Sequence, residues 1–145
     1  MSGRVASPAV VAMLLALAGC RETPSPHRQA VAVPGGEAAR GRDLVVQYGC
    51  GGCHAIPGIP GAVGRVGPPL AGFAERTFIA GNLRNEPAML VRWIRDPQEV
   101  EPRTVMPDLG VSEAHARDIA AYLYTLSAGG IGPPHLIPSS VLPAH

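Results

Sequence analysis

Between residues 36 and 127 the apolar positions recur at helical spacing in three places. In residues 37–48, Leu44, Val45 and Tyr48 gather ahead of Gly49, a natural stop. Residues 86–96 follow Asn85 as a cap, carry Pro87 in the first turn and put Met89, Leu90, Trp93 and Ile94 on one face. Pro97 ends that run. A third helix starts at a Ser112 cap, with Glu113 in its first turn favouring the dipole. Ile119, Tyr122 and Leu123 form its apolar stripe, and Gly129 lies just past its end. No alternating run argues for a strand, and proline and glycine punctuate residues 57–72 and 97–110. The expectation is a small all-α domain of three main helices and long loops, without an internal repeat.

Outside this unit the pattern changes. A positively charged start ending at Arg4 precedes an apolar run over residues 5–17. That run is too short for a membrane span, which needs about 20 residues, so residues 1–19 read as an export signal. Leu17-Ala18-Gly19-Cys20 resembles the bacterial lipobox, in which the cysteine is lipidated and becomes the mature N-terminus. The alternative is an ordinary signal peptide with a chance cysteine. The lipid reading places the protein on the periplasmic side of a bacterial membrane and accounts for Cys20, the odd thiol among three. Residues 20–35 read as the lipidated N-terminus and a flexible linker, residues 36–127 as the folded domain, and residues 128–145 as a disordered Gly/Pro-rich tail.

Composition sharpens the problem of the core. The 145 residues include 18 glycines and 16 prolines, and the aromatics are only Tyr48, Phe73, Phe78, Trp93, Tyr122 and Tyr124. A small domain so poor in aromatics calls for a cofactor to complete its burial. The formal net charge is +1, every basic side chain is arginine, and no basic run points to nucleic acid.

Cys50-Gly51-Gly52-Cys53-His54 carries the chemistry. A structural zinc site needs about four ligands, commonly from two such pairs, and the domain has no second pair. A redox dithiol sits at a helix start near a βαβ pattern; here the motif follows a helix and no strand is legible. The remaining reading is C-x-x-C-H as an attachment site for one covalent haem c. Cys50 and Cys53 would form the two thioethers, and His54 would be the proximal iron ligand. The candidate for the other axial position is Met106, a thioether in the proline-braced loop Pro102-Arg103-Thr104-Val105-Met106-Pro107. Its alternative role is a buried loop anchor. Met89 competes, but its spacing from Trp93 favours core packing, and His115 reads as a solvent-facing helix residue.

With these residues in view, the stretch 41–126 resembles class I cytochrome c. The haem motif matches, Gly67-Pro68-Pro69-Leu70 is similar to the Gly-Pro-x-Leu loop, Met106 matches the distal methionine, and Asp118-Ile119-Ala120-Ala121-Tyr122-Leu123 resembles the C-terminal helix. The resemblance implies that the Pro68 carbonyl orients His54, that Gly41 meets Tyr122 where the terminal helices cross, and that the fold wraps one haem. Residues 76–126 further resemble the cytochrome c domain of subunit II of bacterial haem-copper oxidases, through Arg76-Thr77-Phe78-Ile79-Ala80-Gly81, Trp93-Ile94-Arg95-Asp96-Pro97 and Met106-Pro107-Asp108-Leu109-Gly110. This sequence lacks that protein's membrane helices and copper domain, which suggests a free-standing lipoprotein.

What the resemblance implies is a membrane-tethered electron carrier in a respiratory chain, not itself an enzyme. A haem-copper cytochrome c oxidase would be its acceptor and a quinol-oxidising complex would lie upstream. Phe73, Phe78 and Trp93 are expected to pack around the porphyrin, and Arg76 or Arg84 to meet a propionate. The rival class is a haem enzyme or ligand-binding protein, which needs an exchangeable sixth position; a third is a binding module whose haem is only structural.

Overall fold

The computed structural model describes residues 31–128 and 130–131. Among the described residues four α-helices follow in order: α1 Ala38–Gln47, α2 Pro87–Arg95, α3 Pro97–Val100 and α4 Glu113–Leu123. Among the described residues no helix is long and apolar enough to cross a membrane.

Local chemistry sets the boundaries. The Glu37 carboxylate caps α1 by accepting the Ala39 N–H at 3.3 Å, and Ser112 Oγ caps α4 through the His115 N–H at 3.3 Å. Asn85 is not the cap of α2, as the sequence pattern suggested. Pro87 disfavours helical geometry in the residue before it, so Glu86 is extended (φ −121°, ψ 147°) and the helix begins at Pro87. Asn85 is one residue too early. Its amide instead donates to the carbonyls of Phe73 and Arg76, both at 3.0 Å, and accepts the Tyr124 hydroxyl at 3.0 Å. Pro97 acts the same way on Asp96: it closes α2 and opens the short α3.

Among the described residues are four two-residue strands that were not legible in the sequence. Strand β1 (Phe78–Ile79) pairs antiparallel with β2 (Leu83–Arg84), and β3 (Leu126–Ser127) with β4 (Gly130–Ile131). Two residues are too few for an alternating pattern to register. The second pair draws Gly130 and Ile131, read from sequence as tail, back onto the domain. At the other end Val33 is buried, and Arg117 Nη1 donates to the Pro34 carbonyl at 3.0 Å. Residues 1–30, with the signal segment and Cys20, and residues 132–145 of the tail lie outside the described residues.

The frame is the crossing of α1 over α4. A Cβ on Gly41 would stand 1.9 Å from the Asp118 carbonyl oxygen and 2.9 Å from Tyr122 Cβ, so only glycine allows this approach. Leu44 and Val45 from α1 join Leu90 and Ile94 from α2 and Ile119 and Leu123 from α4 in one buried core.

Asp118, 2% exposed, ties the crossing together. Its carboxylate accepts the Glu37 N–H at 2.7 Å and both Arg40 Nε and Nη2, at 3.0 and 2.9 Å. Burial pushes its pKa up, but the hydrogen bonds from Arg40 and from the Glu37 backbone, with the Arg40 charge, outweigh it and hold the pKa below the ordinary carboxylate value. A depressed folded-state pKa contributes stability above the unfolded pKa and loses it as pH falls through the folded value. Asp118→Asn should therefore lower the melting temperature by several degrees near pH 7. The gap from wild type should shrink as pH falls below about 4, where the unfolded carboxyl titrates, and close once pH has fallen through the lower folded-state value. Melting curves across pH 2–7 check this; a gap that persists unchanged at low pH contradicts it.

Candidate haem-binding site

Helix α1 delivers the chain to the site. It ends in Tyr48, Gly49 turns at φ 70°, and a single 3₁₀ turn spans Cys50–Gly52. The Cys50 carbonyl accepts the N–H groups of both Cys53 (3.2 Å) and His54 (3.0 Å), which closes the motif on itself. Residues 67–70 then pair back along it: Gly67 N–H reaches the Cys53 carbonyl at 2.9 Å and Leu70 N–H the Ala55 carbonyl at 2.8 Å.

That return strap fixes His54. Its Nδ1 lies 2.8 Å from the Pro68 carbonyl, a group that can only accept. Nδ1 therefore carries the proton, and Nε2 keeps its lone pair for a metal. The ring also lies flat against the strap: a Cβ on Gly67 would stand 2.3 Å from His54 Cε1 and 2.6 Å from Nδ1. Glycine at 67 is thus what lets the imidazole sit beside Pro68.

Cys50, Cys53, His54, Pro68 and Met106 all line one cavity of about 550 Å³. Its walls are largely apolar, with Val45, Leu90, Trp93, Ile94 and Ile119 from the three long helices and Phe73 from a 3₁₀ turn, Phe73–Glu75. The thiols of Cys50 and Cys53 are free. Burial pushes the Cys50 thiol pKa up, the opposite of what a nucleophilic redox dithiol needs. Two thiols at the end of a helix, an imidazole with a fixed tautomer, a thioether from a distant loop and an apolar cavity fit a covalently held haem.

Other expectations need correction. Phe78 does not pack in the cavity; it is 53% exposed. Successive strand residues face opposite ways, and in β1 the inward position belongs to Ile79. Arg84 is the cross-strand partner of Phe78 and is likewise exposed outside the cavity. Arg76 does line it. Its guanidinium donates to the Pro69 carbonyl and to Ala71 O (3.4 Å) and lies 5.3 Å from the Phe73 ring centre. Met89 is half-buried and does not line the cavity. His115 is not simply solvent-facing: its Nδ1 shares a 2.8 Å hydrogen bond with the Tyr48 hydroxyl, and the two rings meet edge-on at 5.9 Å. Tyr48 in turn lines the cavity. Sequence reasoning missed this pair because its residues are far apart in the chain and meet only through the α1–α4 crossing.

A mostly helical domain closed around such a site defines a small c-type haem protein. Residues 38–127 match the family described as Cytochrome c, and the chain belongs to that family. It is an electron-transfer protein with one covalently bound haem c. Among curated relatives, it is 40% identical over 90 residues to cytochrome c oxidase subunit 2 of Alkalihalophilus pseudofirmus, covering 61% of this chain and 25% of that protein. Cytochrome c oxidase subunit 2 of Bacillus subtilis is 34% identical over 97 residues, covering 63% of this chain and 27% of that one. The corresponding protein of Bacillus sp. strain PS3 is 36% identical over 70 residues, 47% of this chain and 20% of its own length. The chain thus spans about a quarter of the length of these relatives. No solved structure matches it significantly.

Proposed function

We propose that this protein carries single electrons along the periplasmic face of a bacterial membrane. It would receive them downstream of a quinol-oxidising complex and pass them to a haem-copper cytochrome c oxidase. The observation that carries the reading is the convergence of Cys50, Cys53, His54 and Met106 on one apolar cavity, with His54 Nδ1 held by Pro68. A bound haem supplies the one-electron couple. The residues of the chain do the rest. Cys50 and Cys53 would anchor the group, His54 and Met106 would supply its iron ligands, and Pro68 would keep the imidazole tautomer and raise its basicity. Two protein ligands leave no position open for substrate, which favours electron transfer over catalysis. The apolar walls would limit water at the iron, and Arg76, which lines the same cavity, would be available to a propionate.

Similarity to the cytochrome region of oxidase subunit 2 supports the choice of acceptor. The tether would be a diacylglyceryl group on Cys20, because one acyl chain holds a membrane only weakly and two hold it stably. The surface argues for a tether too. Residues 36–127 carry arginine at nine positions and acids at ten, a nearly balanced set that gives little electrostatic steering. Confinement to the membrane raises the effective concentration at a membrane-bound partner instead.

Turnover with a purified oxidase in vesicles tests this. The rate should change only weakly between low and physiological salt, and a soluble Cys20→Ser form should be markedly slower at equal concentration. Intact mass should show a lipidated Cys20 as the mature N-terminus. A steep salt dependence with no difference between the two forms contradicts the tethered reading, as does an unmodified N-terminus at another residue.

A further inference from the structure

The loop that carries Met106 is held at both ends of that residue's own peptide groups. Met106 N–H donates to Thr104 Oγ1 at 3.1 Å, and the Met106 carbonyl accepts from Gln98 Nε2 at 2.7 Å. The second bond joins the loop to a different element. Gln98 sits in the first turn of α3, directly after Pro97, which is fully buried at the start of that helix. The amide is thus mounted on an anchored base, while the residues around Met106 have little else to hold them: Pro102, Arg103, Val105, Pro107 and Asp108 are all exposed, Val105 at 77%. Glu101 adds a local brace within the same turn, its carbonyl taking the Thr104 N–H at 2.9 Å.

We infer that Gln98 is a positioning residue for Met106: its side-chain amide holds the Met106 carbonyl and so keeps the thioether aimed into the cavity. The inference rests on the reading of Met106 as the distal iron ligand. Gln98 touches no part of the cavity, and its effect passes entirely through Met106. Because Gln98 is itself exposed, its removal leaves no buried polar group of its own and does not threaten the fold. What it removes is a restraint on a loop that must stay closed over the iron. A neutral hydrogen bond of this kind shifts a local equilibrium by roughly fivefold.

The test uses the full haem-loaded protein and three variants. Gln98→Ala deletes the side chain, Gln98→Glu keeps its size and loses the donor, and Glu99→Gln is a control on the same helix, where an exposed carboxylate meets Arg92. The readouts are the near-infrared sulfur-to-iron band of the oxidised protein as pH is raised, and the fraction of reduced protein that binds carbon monoxide. Both Gln98 variants should lose the band at lower pH than wild type and raise the carbon monoxide-binding fraction about fivefold, while Glu99→Gln behaves as wild type. The inference is overturned if both variants keep wild-type spectra. It is equally overturned if Gln98→Glu matches wild type while Gln98→Ala does not, since packing rather than the hydrogen bond would then be responsible. Met106→Ala, measured alongside, separates the two levels. If it abolishes the band, the ligand reading stands and the Gln98 result judges the positioning alone; if it leaves the band intact, both fall.

Discussion

Changing Cys50 and Cys53 together to serine should yield a chain that carries no covalently bound haem and does not hold its native fold. The cavity they line is about 550 Å³. Without the haem its apolar walls face water instead of a large apolar group, and a small domain can ill spare that burial. The cavity is walled by core residues of all three long helices, so collapse around it cannot be local. Denaturing electrophoresis with peroxidase staining should show haem on the wild-type chain and none on the double variant, and circular dichroism should show the variant largely unfolded. Single Cys→Ser changes should weaken the stain. A wild-type chain that releases its haem into acid acetone contradicts the attachment.

The second large effect belongs to Met106. Met106→Ala should abolish the near-infrared sulfur-to-iron band, lower the reduction potential and open the reduced protein to carbon monoxide. The potential falls because a thioether opposite histidine favours the reduced iron more than water or a stronger donor does. Met89→Leu is the matched comparison: Met89 is half-buried on α2 and does not line the cavity, so its loss should change packing and leave the band in place. If Met89→Leu removes the band and Met106→Ala does not, the assignment of the ligand is wrong.

The sequence made the long elements legible and left the short ones out. The helices around Leu44, Leu90 and Ile119 each run for two turns or more, long enough for a 3.6-residue stripe to show, and each bears its stripe on the core. The crossing of Gly41 on Tyr122 and the bond from His54 to Pro68 also form where the family resemblance placed them. Two-residue strands have no period, so β1 and β2 were invisible, and with them the outward turn of Phe78 and Arg84. Asn85 was misjudged because cap propensity is local, whereas the geometry there is set by the following proline. The hydrogen bonds of His115 to Tyr48 and Gln98 to Met106 depend on where loops and helices meet in space, which spacing along the chain does not encode.

The most direct test of the central claim is a redox titration of the purified full-length protein, followed by its visible and near-infrared spectrum. A haem held by Cys50 and Cys53 and ligated by His54 and Met106 should give one reversible single-electron transition. It should be low-spin in both oxidation states, with the sulfur-to-iron band present in the oxidised form and the reduced spectrum unmoved by carbon monoxide. A reduced spectrum that shifts at once under carbon monoxide, or an oxidised form without the band, would contradict a closed electron carrier and point to an open haem site.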